Sequence, residues 1–362
     1  MNRRGILKWL GLGGATTLGV GGIAASRASG ANRYYSGPAS DHFDGTVFFN
    51  PDGKPPGAFA DLLRWQFGGG RATWPADFPS PFAPAKPAAR VEGGALTLTM
   101  VGHASLLIQV AGLNILTDPV WSDRASPFSF AGPKRVNAPG IAFADLPPVD
   151  LVLLTHNHYD HMDVPTLRLL RDAHDPLVVT PLGNDAIVAD AVPGIRVAAH
   201  DWGDRFDFGP AAIHVEPVHH WSARGVGDRR MALWAGFVIE TDAGRIYHVG
   251  DTGFHSGINY RAAAARHGGF RLAILPFGAY EPRWFMESQH QNPEEAVEGM
   301  LLSNAAHVAG HHWGTFQLTN EPIEEPREKL AHALAARGVA PERFRPMLPG
   351  EVWNVPPVPE AG

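Results

Sequence analysis

The chain has 362 residues, 44% of them hydrophobic and 18% charged, which excludes a disordered, collagen-like or coiled-coil protein and leaves ample material for a large core. A formal net charge of -6 argues against a dedicated nucleic-acid binder, which presents a basic face to phosphates. Cysteine is absent, so disulfides, thiol nucleophiles and thiolate-bound zinc are excluded, whereas histidine, the commonest metal ligand, occurs 18 times.

At the N-terminus, Arg3-Arg4 precedes an uncharged, glycine-rich, weakly apolar stretch from Trp9 to Ala25, then Arg27 and the small residues Ala28-Ser29-Gly30. The stretch is short of the about 20 strongly apolar residues that a membrane-spanning helix needs. Residues 1–30 read as a twin-arginine export signal, which predicts a periplasmic or secreted protein delivered already folded; an uncleaved signal acting as a membrane anchor is the alternative. Residues 31–94 form a Pro/Gly/aromatic-rich extension expected to pack on the core. Within it Phe59, Leu62, Leu63 and Phe67 stand at helical spacing, which predicts a core-packed helix; the other reading is a lid or lipid-docking face carrying Trp65 and Phe67.

From residue 95 the pattern becomes that of an α/β domain running to 362. Runs 96–101, 105–110 and 114–117 predict an antiparallel meander. The continuous apolar run 150–155 predicts a strand buried on both faces. Further strands are expected at 177–180, 213–218, 233–240, 246–249, 272–276 and 306–308. Helices are expected at 164–172, 183–191, 257–267, 293–303 and 321–336. Strands interleaved with helices predict sheets covered by helices. No internal repeat is evident.

The strand at 150–155 runs directly into His156-Asn157-His158-Tyr159-Asp160-His161. On extended backbone His156 and His158 point the same way, and Asp160 and His161 follow where the chain turns towards a second ion. Three downstream loops, each just after an apolar strand, supply more donors: His219-His220, Asp251 and His311-His312. Adjacent side chains diverge, so one histidine of each pair is expected to ligate. His42, His174, His200, His214 and His267 read as structural. Asp118, in Thr117-Asp118-Pro119, either accepts a hydrogen bond from a ligand imidazole or caps a turn.

This order of ligands resembles the metallo-β-lactamase superfamily. Gly102-His103-Ala104, Leu116-Thr117-Asp118-Pro119, Gly132-Pro133-Lys134-Arg135, the run Gly278-Ala279-Tyr280-Glu281-Pro282-Arg283-Trp284-Phe285-Met286 and His312-Trp313-Gly314-Thr315-Phe316 resemble its N-acyl-phosphatidylethanolamine-hydrolysing phospholipase D branch. The likeness covers about residues 95–350. It implies a four-layer αββα sandwich with a two-metal cleft. His156, His158 and His220 would hold one zinc, Asp160, His161 and His312 the other, and Asp251 would bridge them; the Trp after His220 and after His312 selects those members of each pair. Nitrogen and carboxylate donors suit zinc, with iron or manganese as alternatives. The resemblance implies hydroxide attack on a phospholipid phosphodiester, giving phosphatidic acid and an N-acylethanolamine. Asp160 would accept a hydrogen bond from the nucleophile, and His290 would contact substrate or act as the acid. Tyr159, Gln289, Tyr280 and Arg283 are the implied substrate contacts, Arg283 through its fork of donors. A homodimer with transient contact to a membrane surface and no nucleic-acid partner completes the expectation. Two other readings stand beside it: a lactonase or other ester or amide hydrolase of the same fold, and a non-catalytic metal-binding envelope protein.

Overall fold

The computed structural model describes residues 31–225 and 227–358; residues 1–30, read above as an export signal, lie outside the described residues. The first sheet begins with the antiparallel strands β1 (Leu96–Gly102), β2 (Ser105–Val110) and β3 (Leu113–Thr117), and grows by the parallel additions β4 (Leu151–Leu153), β5 (Leu177–Pro181) and β6 (Arg196–His200). The second begins with antiparallel β7 (Arg205–Phe208), β8 (Ala211–Glu216), β9 (Gly236–Thr241) and β10 (Gly244–His248), and grows by parallel β11 (Phe270–Pro276), β12 (Ala305–His311) and β13 (Phe344–Pro346). A last strand, β14 (Val352–Asn354), returns to the free edge of β1, so the orders are β14-β1-β2-β3-β4-β5-β6 and β13-β12-β11-β10-β9-β8-β7. The two halves therefore share one plan, a meander followed by three parallel strands. It is a repeat of connectivity, which the sequence does not display as repeated residues.

Leu98, Ile108, Ile115 and Leu153 of the first sheet bury against Ile213, Phe237, Ile246 and Leu272 of the second, which makes the central layer. The outer face of the first sheet, Leu116, Val152 and Val178, is covered by Leu167 and Leu170 of α2 (Val164–His174) and Val188 of α3 (Asn184–Ala191). The outer face of the second, Tyr247, Ala273 and Val308, is covered by α4 (Ile258–His267), α6 (Pro293–Leu302) and α7 (Glu325–Ala336). This is the αββα order. The 150–155 run is apolar throughout because Leu151 and Leu153 face one layer while Val152 and Leu154 face the other.

Three differences from the sequence reading have physical causes. Strand β4 ends at Leu153 because the Thr155 amide donates to the Asp118 carboxylate at 2.7 Å instead of to a neighbouring strand, which peels the chain towards His156. Helix α7 starts at Glu325, not 321, because Glu321 turns back to accept from the amides of Ala279 and Glu281 and Pro326 occupies the first turn. The helix α1 (Phe59–Phe67) forms as its spacing predicts but does not pack on the core. None of its residues is buried, and Phe67 is 68% exposed. Its anchor is Trp65, which donates to Asn320 at 3.0 Å and stacks on Phe285 of the short α5 (Arg283–Met286).

The rest of the extension is strapped to the core. Buried His42 lies 2.6 Å from Asp41 and 2.8 Å from Asp201 and stacks on Trp202. Burial lowers its pKa, but the hydrogen bonds to Asp201 and Asp41 outweigh that, and the net direction is up from 6.5. The stabilisation by protonated His42 is thus complete below the unfolded value and is lost as pH rises through the folded one. His42→Phe keeps the stacking and is expected to cost about 1.5–3 kcal/mol at pH 6. Denaturant titrations of both proteins should show that difference shrinking by pH 9; a difference that grows with pH would refute the assignment.

Candidate metal centre

The donor-bearing loops leave both sheets at one rim. His156 to His161 follow β4, His220 follows β8, Asp251 follows β10, His312 follows β12, and His290 follows α5. Ends of neighbouring strands converge there, which is how residues far apart in sequence meet. Gly250 (φ +66°) makes the approach of Asp251 feasible, since a Cβ there would lie 2.7 Å from the Thr155 side chain.

Two adjoining groups result. In the first, His158 Nδ1 lies 2.9 Å from His156 Nε2 and 3.2 Å from His220 Nε2. In the second, Asp160 Oδ2 lies 3.2 Å from His312 Nε2, 3.4 Å from His161 Nε2 and 2.9 Å from His103 Nε2. Asp251 Oδ2 stands between the groups, 3.0 Å from His312, 3.2 Å from His161, and 3.8 Å from both His220 and His290. Four donors bound tetrahedrally at about 2.0–2.1 Å stand about 3.3 Å apart, so these spacings suit shared coordination spheres. Among the described residues, buried His161 Nε2 and Asp251 Oδ1 have no hydrogen-bond partner, a lack that a bound cation would fill. The donor set therefore fits a metal, with the groups His156/His158/His220, His103/Asp160/His161/His312 and His220/Asp251/His290 each within reach of one ion.

The electrostatics divide the cluster. Burial first, then neighbouring imidazoles, hold His156 far below the usual histidine value, His158 down at about 3 and His220 at about 4, so their lone pairs are free. At His161 and His312 burial also lowers the pKa, but Asp251 and Asp160 outweigh it, and His312 is pushed up to about 9. Burial raises Asp160 and Asp251, yet the facing histidines hold both well below the carboxylate range. Metal-free, this half carries protonated histidines against carboxylates; a metal entering it displaces those protons.

Asp118 is fully buried, 2.8 Å from His161 Nδ1, and also accepts from the Thr155 amide and hydroxyl. It thereby turns His161 Nε2 towards Asp251. The Gln289 carbonyl does the same for His220, accepting from Nδ1 at 3.0 Å. Of the histidine pairs, His220 and His312 face the cluster. His219 turns to Asn259 and His255, and His311 is buried facing His248.

The expected substrate contacts fare differently. Tyr159 borders the cluster half-buried, its hydroxyl donating to the Arg224 carbonyl. The Gln289 side chain points at Met286 sulfur. Tyr280 and Arg283 are not brought to the cluster. The Tyr280 hydroxyl donates to Glu325 on α7, and the Arg283 guanidinium is spent on both oxygens of Glu295 and on the His290 carbonyl. Arg283 thus holds the His290 loop instead of presenting free donors to a phosphate.

Two residues of the site were not singled out by the sequence reading. His103 sits in the Gly-His-Ala motif that carries part of the family resemblance, but the motif gives it no role at the site. Arg224, a lone loop arginine, gives no signal at all. Its guanidinium donates to the carbonyls of Asn157 and Met162, at 3.0 and 2.8 Å, and lies 4.0 Å over the Tyr159 ring. It therefore ties both ends of the ligand loop together. Arg224→Met is expected to lower stability by about 1–3 kcal/mol by leaving two carbonyls unpaired. Arg224→Lys should not restore it, because one ammonium cannot replace the planar fork. Thermal unfolding of the three proteins, with metal retention after dialysis against a chelator, checks this.

The family description "Beta-lactamase superfamily domain" matches residues 113–313, which spans the cluster from β3 to the residue after His312. The N-acyl-phosphatidylethanolamine-hydrolyzing phospholipase D 1 of Caenorhabditis elegans is 38% identical over 272 residues, covering 72% of this chain and 76% of that protein. The mitochondrial N-acyl-phosphatidylethanolamine-hydrolyzing phospholipase D of Saccharomyces cerevisiae is 32% identical over 237 residues, 64% of this chain and 50% of that protein. Among solved structures, the isothiocyanate hydrolase from Delia radicum gut bacteria shares the fold with a TM-score of 0.57 at 22% identity, over 72% of this chain and 99% of that one. Matching sheets, an assembled His/Asp cluster and these relatives agree: the chain belongs to the β-lactamase superfamily, as a metal-dependent hydrolase homologous to the N-acyl-phosphatidylethanolamine-hydrolysing phospholipases D.

Proposed function

We propose that this chain is a two-metal phosphodiesterase acting on N-acyl-phosphatidylethanolamine-type phospholipids, releasing phosphatidic acid and an N-acylethanolamine. The observation that carries the reading is the pair of donor groups meeting at Asp251, together with the names of the two phospholipase relatives. His156, His158 and His220 would hold one ion, Asp160, His161 and His312 the other, and Asp251 both. Oxygen and nitrogen donors without thiolate favour zinc, with iron or manganese as alternatives. Bound metal supplies a nucleophilic hydroxide near neutral pH and neutralises charge on the attacked group. The protein's own part is positional. Asp118 and the Gln289 carbonyl fix two imidazoles, Asp160 orients the attacking oxygen, and His290, 3.8 Å from Asp251, stands at the side where a leaving group needs a proton. The apolar side chains Phe59, Leu62 and Leu63 of α1, each more than a third exposed, suit transient contact with a lipid surface. Residues 1–30 support export by the twin-arginine route.

One observation favours a second reading, an ester or lactone hydrolase of the same fold. Arg283 is committed to Glu295, which removes one cation a phosphodiester site would use. Incubating residues 31–362, metal-loaded, with N-acyl-phosphatidylethanolamine in mixed micelles and following products by mass spectrometry decides between them. Paired release of phosphatidic acid and N-acylethanolamine supports the first reading. An intact lipid with turnover of simple lactones supports the second.

A further inference from the structure

His103 is 2% exposed and sits at the β1–β2 turn, where the register shifts after Met100 and φ is +58°, a left-handed conformation rare outside glycine. That turn drives the imidazole inward instead of towards solvent. Nε2 lies 2.9 Å from Asp160 Oδ2. The backbone carbonyl of the same residue accepts from the His312 amide at 3.0 Å, and its own amide donates to the Thr315 hydroxyl. The ring packs 4.1 Å from the His312 ring and edge-on to Phe316 at 5.2 Å. One residue of the first meander thus touches donors from two other loops, one in each sheet.

We infer that His103 is a positioning residue of the second half-site: its imidazole N–H fixes Asp160 and its carbonyl fixes His312, so that both donors face the same point. This rests on the two-metal reading above. Direct ligation by His103 is the rival, and the geometry argues against it. His161 Nε2 and His312 Nε2 face Asp251 Oδ2, at 3.2 and 3.0 Å, as well as Asp160, whereas His103 Nε2 is paired with Asp160, at 2.9 Å. With the proton on Nε2, the ring donates to Asp160, as imidazoles and carboxylates around metals do.

The test measures metal stoichiometry and affinity by chelator competition in the wild type, His103→Phe and His103→Gln. Phenylalanine fills the space without a donor; the glutamine amide can still donate to Asp160. The wild type should hold two ions. His103→Phe should keep the first ion at wild-type affinity, which also reports an intact fold, and bind the second about 10–100-fold more weakly. His103→Gln should recover most of that loss, with the visible spectrum of its cobalt-substituted form unchanged. Undiminished binding of both ions by His103→Phe overturns the inference. So does a cobalt spectrum altered by His103→Gln, because that makes His103 a ligand. A wild type that binds one ion or none overturns the two-metal reading itself, and the inference with it.

Discussion

Asp251→Asn is expected to hold at most one equivalent of metal and to lose hydrolytic turnover by at least about 1000-fold, since each 1.4 kcal/mol of lost transition-state stabilisation is tenfold and metal charge supplies several kcal/mol. The argument is geometric. One carboxylate oxygen, Asp251 Oδ2, lies 3.0 to 3.8 Å from four imidazoles that come from four separate loops. Asp251 thus faces donors of both groups through one atom. The amide has the same shape, so the loss isolates charge and donor strength. It also removes the anion that keeps His161 and His312 protonated in the metal-free protein, so proton release on metal uptake should fall. Metal analysis, product release and calorimetry in two buffers of different ionisation enthalpy read these effects. A variant with two bound ions and wild-type turnover would remove Asp251 from the bridging role.

The second large effect is on stability. Asp118→Asn is expected to lower unfolding free energy by about 3–5 kcal/mol, the range for removing one partner of a buried charged pair. Asp118 has zero exposure and accepts three hydrogen bonds, from the Thr155 amide, the Thr155 hydroxyl and His161 Nδ1. An amide oxygen can occupy the Oδ1 or the Oδ2 position but not both, so the amide N–H must point at one or two of these donors. Its φ of +37° does not confound the comparison, because asparagine tolerates left-handed backbone. Metal affinity should fall as well, since His161 loses the group that aims it. Chemical denaturation with and without metal provides the measurement. A loss under 1 kcal/mol would mean that Asp118 caps a turn and does little else.

The central strands and the ligand-bearing loops were legible because both leave local signals. An apolar run ending in His156 to His161 marks a strand end, and His220, Asp251 and His312 each follow such a run. Four edge strands were not legible. β6 and β7 are short and half-exposed, and β13 and β14 have only three residues each, so they carry too few apolar positions to register. Within the site, Asp118 was legible as a partner for a ligand imidazole, whereas Arg224 and His103 escaped notice because their partners are distant. Arg224 acts on carbonyls more than sixty positions away, and His103 on Asp160 across fifty-seven. The same blindness explains Tyr280 and Arg283. A chemically suggestive motif placed them at a phosphate, but Glu325 and Glu295, further along the chain, had already claimed them.

The shared plan of the two halves has a consequence for how the protein matures. His156, His158, Asp160 and His161 belong to the first half, whereas His220, Asp251, His290 and His312 belong to the second. Neither half alone offers a complete coordination sphere. An ion bound there would act as a clasp across the seam, and a free concentration a thousandfold above its dissociation constant would stabilise the folded state by about 4 kcal/mol. Loss of metal would then be expected to weaken the seam at that rim.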